Sequence, residues 1–209
     1  GLMLTNRPFI VAEMSANHNG SLTTAMALVE AAAESGAAAI KLQTWKTMVY
    51  DDNYVIESGA WAGHNLANLY EKAKTPWEWH KPLFDYAKQL GLVAFSTPFD
   101  CESLEFLESI NCPMYKVSSF EITDIPLIEA IAKTGKQMII STGMASTDEK
   151  WDAYKACGGN AAFLSCTSAY PAINIDLTPQ FATTAWGISD HTEGIGIAIA
   201  ATTLGASVI

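Results

Sequence analysis

The sequence predicts an α/β fold of the (β/α)8 TIM-barrel type, and three observations support this prediction. Short apolar runs without alternation recur along the chain, which is typical of strands that are buried on both faces. Five of these runs follow a helical stretch and a glycine, and a glycine in that position fits a helix C-cap. Helices that alternate with buried strands indicate parallel βα units.

Eight strands can be placed in chain order, and eight βα repeats favour the barrel. They cover residues 9–12, 38–40, 92–95, 114–117, 138–140, 161–164, 186–188 and 207–209. We expect Ser21 to cap the first helix, and Thr75 followed by Pro76 to start a later helix that ends at Leu90. A doubly wound open sheet would have the same periodicity, so the pattern alone leaves that architecture open.

One connection is unusually long, although we treat residues 1–209 as a single domain. Residues 45–75 form an insertion after the second strand, and its aromatic residues are Trp45, Tyr50, Tyr54, Trp61 and Tyr70. Long loops at strand ends are commonly functional, so the aromatic content favours a lid that faces a substrate. A loop packed on itself is the alternative.

The composition excludes several classes of protein. The chain is 49% hydrophobic and 16% charged, with a formal charge of −10, so it is neither disordered nor suited to neutralising nucleic-acid phosphates. No apolar run reaches the roughly 18 residues of a membrane span, and no signal peptide is evident, so we expect a cytoplasmic protein. The four cysteines form no C-x-x-C pair and are expected to be reduced thiols.

Polar residues follow the predicted strands, where parallel barrels carry their active sites. Two lysines and several hydroxyls at this end suit a compact anion such as phosphate, and the carboxylates and the histidine could bind a metal or move protons. Taken singly, each lysine could be solvated, Ser141 could be a helix cap, and His191 could be a packed histidine. The candidates are Glu13, Asn17, Lys41, Gln43, Thr97, Lys116, Ser119, Glu121, Ser141, Ser168, Tyr170, Asp190 and His191.

Seven short motifs occur in order from about residue 8 to the end of the chain. They are FIVAEMSANHNG at 9–20, KLQT at 41–44, STPFD at 96–100, YKVSSFE at 115–121, STGM at 141–144, CTSAYP at 166–171 and GISDHT at 187–192. Through these motifs the sequence resembles the sialic acid synthases. Residues 61–63, 68–70 and 75–81 look more like pseudaminic acid synthases than N-acetylneuraminate synthases.

The resemblance implies that phosphoenolpyruvate condenses with an acetamido-sugar aldehyde to give a nine-carbon 2-keto acid and phosphate. The aldehyde would be N-acetylmannosamine-like or a 2,4-diacetamido-trideoxy hexose. The resemblance also implies a divalent metal, commonly manganese with magnesium as an alternative, and a homodimer. It assigns phosphoenolpyruvate to Lys41, Thr97, Lys116, Ser119, Ser141 and Ser168. It assigns the sugar to Asn17, Gln43 and Tyr170, the metal to His191, and catalytic roles to Glu13, Glu121 and Asp190, with Asp190 orienting His191.

The sequence departs from the family at its end. The family continues into a second metal-binding histidine, a last barrel helix and an antifreeze-like domain that contributes to the dimer, so we expect a C-terminally incomplete barrel. Another phosphoenolpyruvate-condensing enzyme, such as a 3-deoxy-D-manno-octulosonate 8-phosphate synthase, is a second hypothesis. A non-catalytic fragment that binds phosphoenolpyruvate or sugar is a third, and a Schiff-base aldolase built on Lys116 is a further alternative.

Overall fold

The computed structural model describes residues 7–46, 53–59, 61–179 and 185–209. Within these ranges strands and helices alternate, and the predicted α/β class is confirmed. The strands are β1 (Val11–Glu13), β2 (Ala39–Thr44), β3 (Val93–Pro98), β4 (Met114–Val117), β5 (Gln137–Ser141), β6 (Ala161–Cys166) and β7 (Trp186–Ser189). The helices are α1 (Leu22–Glu34), α2 (Leu66–Ala73), α3 (Trp77–Gln89), α4 (Cys101–Ser109), α5 (Ile125–Lys133), α6 (Thr147–Ala156) and α7 (Gly196–Thr203).

The chain divides into two compact units, Ala12–Asn111 and a second unit of Gly1–Val11 with Cys112–Ile209. In the first unit β2 and β3 pair in parallel, from Ala39 opposite Val93 onwards. Helix α1 buries its small apolar face against this pair, because residues three and four positions apart share one side of a helix. The predicted cap is confirmed, since Ser21 Oγ accepts a hydrogen bond from the Thr24 amide at 3.2 Å.

The predicted cap at Thr75 is wrong. Helix α3 begins at Trp77, Pro76 occupies the N-cap position, and no side chain caps the helix. Thr75 is buried, and its Oγ1 lies 3.3 Å from His18 Nε2. The hydroxyl is therefore used in a tertiary contact with the loop after β1, which local sequence does not reveal.

In the second unit β4, β5, β6 and β7 pair in parallel in chain order. Residues 207–209, predicted as the eighth strand, lie between β7 and residues 9–11. The Ser207 amide donates to Trp186 O, and the Phe9 amide donates to Ser207 O, each at 2.8 Å. Val208 is buried and bridges both neighbours. The segment is thus hydrogen-bonded to both neighbours, through isolated bridges and not as a regular strand.

The aromatic residues of the 45–75 insertion differ in their environment. Trp45 is fully buried and contacts Tyr70 edge-on, with ring centroids 5.7 Å apart. Tyr54 and Trp61 are exposed, and Tyr50 lies outside the described residues. Part of the insertion is therefore packed around Trp45, although no residue of α2 is buried, and its role as a lid stays a prediction.

A network of hydrogen-bonded polar side chains lies buried in the core of the first unit. His80 is fully buried, and its Nδ1 donates to Pro76 O, 3.2 Å away. Its Nε2 then accepts from Thr44 Oγ1 at 2.8 Å, and Thr44 Oγ1 lies 2.6 Å from Ser96 Oγ. Every hydrogen-bonding atom of the imidazole has a partner in the neutral form, so the network costs little as long as His80 stays unprotonated.

Acid is expected to destabilise the protein through His80. Burial lowers the pKa of His80 from 6.5 to about 4, whereas the unfolded chain takes up this proton near its ordinary pKa. The unfolded state therefore binds more protons between these values, and stability falls as the pH falls. We expect the free energy of unfolding to drop by about 2 kcal/mol between pH 7 and pH 5 through this group.

Urea denaturation at the two pH values, for the unsubstituted chain and for His80→Gln, measures this effect. Glutamine can keep both hydrogen bonds but does not titrate, so the variant should lose less stability over the same range. His18, whose pKa burial also lowers, acts in the same direction in both proteins. An equal loss in both would contradict the prediction.

Two further sequence expectations concern the chain as a whole. No helix in the described ranges is both long enough and apolar enough to cross a membrane. All four cysteines are free thiols, as predicted. The single-domain boundary and the C-terminal incompleteness stay predictions.

Candidate functional site

The candidate residues form two polar clusters, one in each unit. The glutamate–lysine cluster consists of Glu13, Lys41 and Thr97, which lie on β1, β2 and β3 of the first unit. The lysine–serine cluster consists of Lys116, Ser119, Ser141 and Ser168, which lie on or just after β4, β5 and β6 of the second unit. Both clusters lie at the carboxyl ends of their strands, where the sequence placed them.

In the glutamate–lysine cluster, Lys41 forms an ion pair with Glu13. The Lys41 side chain is 14% exposed and that of Glu13 is 40% exposed, so the pair faces solvent from one side. Lys41 Nζ also lies 3.5 Å from Thr97 Oγ1, because Gln43 pairs with Thr97 in the parallel register and brings β3 alongside. The sequence assigned Glu13 to catalysis and Lys41 to phosphoenolpyruvate, and the structure places the two in direct contact.

The two predicted sugar ligands of this unit are positioned by the backbone. Gln43 is two residues beyond Lys41 on β2 and half-buried, so the two side chains share one face of the sheet. Asn17 is exposed, and its Nδ2 donates to Met14 O at 3.0 Å. Asn19 and Ser15 adopt left-handed backbone conformations, with φ of 49° and 47°, which tightens the loop after β1. The side-chain amide of Asn17 thus helps to stabilise its own loop.

Lys116 is the central cation of the lysine–serine cluster. The residue is only 5% exposed, and its ammonium donates to Ser141 Oγ at 2.6 Å and to Val117 O at 2.7 Å. Strand β4 points Lys116 towards β5, where Ser141 is the last strand residue. A buried ammonium costs free energy unless fixed dipoles compensate its charge. The two oxygen acceptors supply these dipoles and hold the ammonium in place, so the site is preorganised to receive an anion.

Gly143 holds the serines of this cluster together, although the sequence did not single it out as a site residue. Its amide donates to Ser119 Oγ at 3.1 Å. A Cβ at this position would overlap Ser168 Oγ and come within 2.8 Å of Ser119 Oγ. The signal available in the sequence was the glycine that follows Ser141 and Thr142, which is equally typical of a turn.

Glu121 lies beside the lysine–serine cluster. Burial raises the pKa of its carboxyl, and hydrogen bonding from Ser118 and the charge of Lys116 only partly oppose this. Ser118 Oγ donates to Glu121 Oε2. A carboxylate whose pKa is raised is a stronger base than an ordinary carboxylate, which suits the role that the resemblance assigned to it.

Cys166 is a further group in this cluster that sequence reasoning left as a structural thiol. Burial works to raise the pKa of Cys166, but hydrogen bonding with His191 and Ser119 outweighs it and lowers the pKa to about 7. Its Sγ lies 3.9 Å from His191 Nδ1 and 4.0 Å from Ser168 Oγ. The same contact outweighs the effect of burial on His191, whose pKa is raised.

His191 is oriented by a backbone carbonyl, and the predicted partner is wrong. Its Nδ1 donates to Thr167 O at 2.9 Å, whereas Asp190 Oδ1 accepts from the amide and the hydroxyl of Thr192. Tyr170 packs against the imidazole, with ring centroids 4.2 Å apart and ring planes tilted by 33°. Asp190 therefore stabilises its own turn, and Thr167 and Tyr170 set the orientation of the ring.

This orientation suits a metal ligand, because Nδ1 is engaged by a carbonyl and Nε2, on the other side of the ring, makes a long contact of 3.5 Å with Ser189 Oγ. However, among the residues that the structure describes, no group of three or more His, Cys, Asp or Glu side chains could hold a metal ion. These residues therefore offer His191 as one candidate ligand and do not by themselves complete a metal site.

Comparisons with known proteins show which proteins this chain is similar to. The model of the NeuB family matches residues 28–209. Pseudaminic acid synthase of Helicobacter pylori is 44% identical over 97% of this chain, and that of Campylobacter jejuni is 40% identical over 96%. The chain spans 64% and 63% of the lengths of these two relatives.

Similarity also extends to solved structures. A crystal structure of N-acetylneuraminic acid synthetase from Leptospira borgpetersenii, in complex with citrate, superposes with a TM-score of 0.82 at 31% identity. The alignment covers 98% of this chain and 72% of that one. The alternation of strands and helices is thus shared along nearly the whole sequence.

Proposed function

Because the chain belongs to the NeuB family of sialic acid synthases, we propose that it carries the phosphoenolpyruvate-binding part of a sugar-acid synthase. The reaction would condense phosphoenolpyruvate with an acetamido-sugar aldehyde to give a nine-carbon 2-keto acid and phosphate. The observation that carries the proposal is buried Lys116, hydrogen-bonded to Ser141 at the carboxyl ends of two neighbouring strands.

Phosphoenolpyruvate bears a phosphate and a carboxylate, and both clusters carry donors for such groups. Lys116, Ser119 and Ser168 offer an ammonium and two hydroxyls in the second unit. Lys41 and Thr97 offer an ammonium and a hydroxyl in the first. Charge-assisted hydrogen bonds of this kind are about twice as strong as neutral ones, so within each cluster taken by itself the lysine would supply most of the affinity for an anion.

We propose that Glu121 accepts the proton that the attacking water loses. Carbon 3 of phosphoenolpyruvate forms the new bond to the aldehyde carbon, the aldehyde oxygen takes up a proton, and positive charge develops at carbon 2. Water adds there, and the tetrahedral intermediate expels phosphate as the keto group forms. A carboxyl whose pKa is raised by burial can accept the proton that this water loses.

A divalent metal, Mn²⁺ or Mg²⁺, stays part of the proposal, with His191 as one ligand. When bound, such a metal would polarise the aldehyde as a Lewis acid. Thr167 would hold the imidazole in the tautomer that leaves Nε2 available, and Tyr170 would restrict its rotation. The eight-stranded barrel, the homodimer and the cytoplasmic location belong to the same proposal. The sugar would be N-acetylmannosamine-like or a 2,4-diacetamido-trideoxy hexose.

A second candidate function is binding without turnover. The chain spans 64% of the length of its H. pylori relative, and the described residues offer one candidate metal ligand without a complete group. A fragment of this kind could retain the lysine–serine cluster, and with it an affinity for phosphoenolpyruvate, while lacking activity.

Calorimetric titration of phosphoenolpyruvate into the purified chain, with and without Mn²⁺, tests the proposal. Binding that occurs without metal is expected, because the lysine–serine cluster needs no metal to form its hydrogen bonds. Turnover with an acetamido-sugar aldehyde would favour the synthase over the binding fragment. Absence of binding under both conditions would contradict the proposed function for this chain.

A further inference from the structure

Gly143 lies between two serines of the lysine–serine cluster. A Cβ there would overlap Ser168 Oγ, come within 2.8 Å of Ser119 Oγ and within 3.3 Å of Cys166 O. Real Cβ atoms are essentially never found closer than 3.0 Å to another heavy atom. Two hydroxyls from different strand ends therefore converge on one position, and any side chain added there would have to displace them.

The backbone conformation at Gly143 does not demand glycine. Most glycines described in this chain have φ between 61° and 91°, which makes glycine necessary for the turn itself. Gly143 is absent from that group, as are Gly187 and Gly196. The preference for glycine at position 143 therefore comes from the serines around it and not from its backbone conformation.

We propose that Gly143 is a positioning residue for phosphoenolpyruvate, acting through Ser119 and Ser168. Its missing side chain lets the two hydroxyls approach each other, and its amide donates to Ser119 Oγ at 3.1 Å. That hydrogen bond uses an acceptor lone pair of Ser119 and fixes its oxygen without consuming the hydroxyl proton, which Cys166 and a bound anion can each accept. This inference rests on the proposed function, because it assigns the role to the same binding site.

The substitution Gly143→Ala tests the proposal by calorimetry with phosphoenolpyruvate. The added methyl group must push Ser168 or Ser119 away, so we expect the dissociation constant to rise roughly tenfold to a hundredfold. The matched control is Gly196→Ala, because Gly196 also lacks a positive φ, and no heavy atom lies within 4 Å of the position that its new methyl group would take. This control should bind phosphoenolpyruvate with unchanged affinity.

A double-mutant cycle separates positioning from general damage. Ser168→Ala removes the hydroxyl that overlaps the new methyl group, so Gly143→Ala should cost much less affinity in the Ser168→Ala background than alone. Additive losses would overturn the proposal. A purely structural role would instead lower the melting temperature of Gly143→Ala and leave the affinity of the folded protein unchanged, which would also overturn it.

Failure of this inference can be told apart from failure of the proposed function. If the unsubstituted chain does not bind phosphoenolpyruvate, the proposed function fails and the role of Gly143 in it is overturned with it. If the unsubstituted chain binds and Gly143→Ala binds equally well, only the inference about Gly143 is overturned.

Discussion

Replacing Lys116 with methionine is expected to weaken phosphoenolpyruvate binding about a hundredfold. Lys116 is 5% exposed, and its ammonium donates to Ser141 Oγ and Val117 O at 2.6 and 2.7 Å. The ammonium is therefore ordered and desolvated before the ligand arrives. Binding does not have to supply that free energy again, so the attraction between the ammonium and an incoming phosphate or carboxylate contributes fully to affinity. Methionine keeps an unbranched stem of similar length but carries no charge.

Calorimetry of Lys116→Met against Lys133→Met measures this effect. Lys133 is the last residue of α5 and is exposed, so its substitution removes the same formal charge without touching the cluster. We expect Lys133→Met to bind as the unsubstituted chain does. Equal affinity in Lys116→Met and Lys133→Met would show that Lys116 does not hold the anion, and the proposed site would have to be abandoned.

Substituting Gly187 with alanine is expected to lower the free energy of unfolding by about 3 kcal/mol. A Cβ at Gly187 would overlap the carbonyl oxygen of Val208 and come within 3.0 Å of Leu164 Cδ2. The carbonyl is backbone and cannot rotate away, so β7 and residues 207–209 would have to separate. The hydrogen bond from the Ile188 amide to Val208 O, 3.0 Å long, would then be strained or lost.

Urea denaturation followed by circular dichroism gives the unfolding free energy for this comparison. Gly196→Ala is again the matched control, since it adds the same methyl group in open space at the start of α7. It should change stability by less than about 1 kcal/mol, in the stabilising direction if at all, because alanine favours a helix over glycine. A loss below about 1 kcal/mol in Gly187→Ala would mean that residues 207–209 are not held against β7 as described.

The strands were predictable because their signal is local. The run at 114–117 matches β4 (Met114–Val117) at both ends, and six other predicted strands end one to four residues before the observed strands do. A strand buried on both faces is mostly apolar along its length, so it can be recognised from a run of consecutive residues. Most of the extra residues at the ends are polar, such as Lys41 and Thr97, so the apolar runs stopped before the strands did.

Contacts of single polar side chains were predicted less well. Asp190 was expected to orient His191, but the carbonyl of Thr167 does so. Thr75 was expected to cap α3, but its hydroxyl contacts His18. A carboxylate or a hydroxyl can form its hydrogen bonds with any suitable group that the fold brings near. Adjacency in sequence does not say which group that is.

The sequence by itself determined the α/β class, the order of the strands, the strand ends at which the polar residues collect, and the family. These properties follow from periodicity and from motifs that are each only a few residues long. Only the tertiary structure decided that Lys41 pairs with Glu13, that Lys116 is buried against Ser141, and that Gly143 makes room for two serine hydroxyls. The physical reason is that these contacts join residues from different strands, so their distances depend on how the strands pack and not on any local preference of the chain.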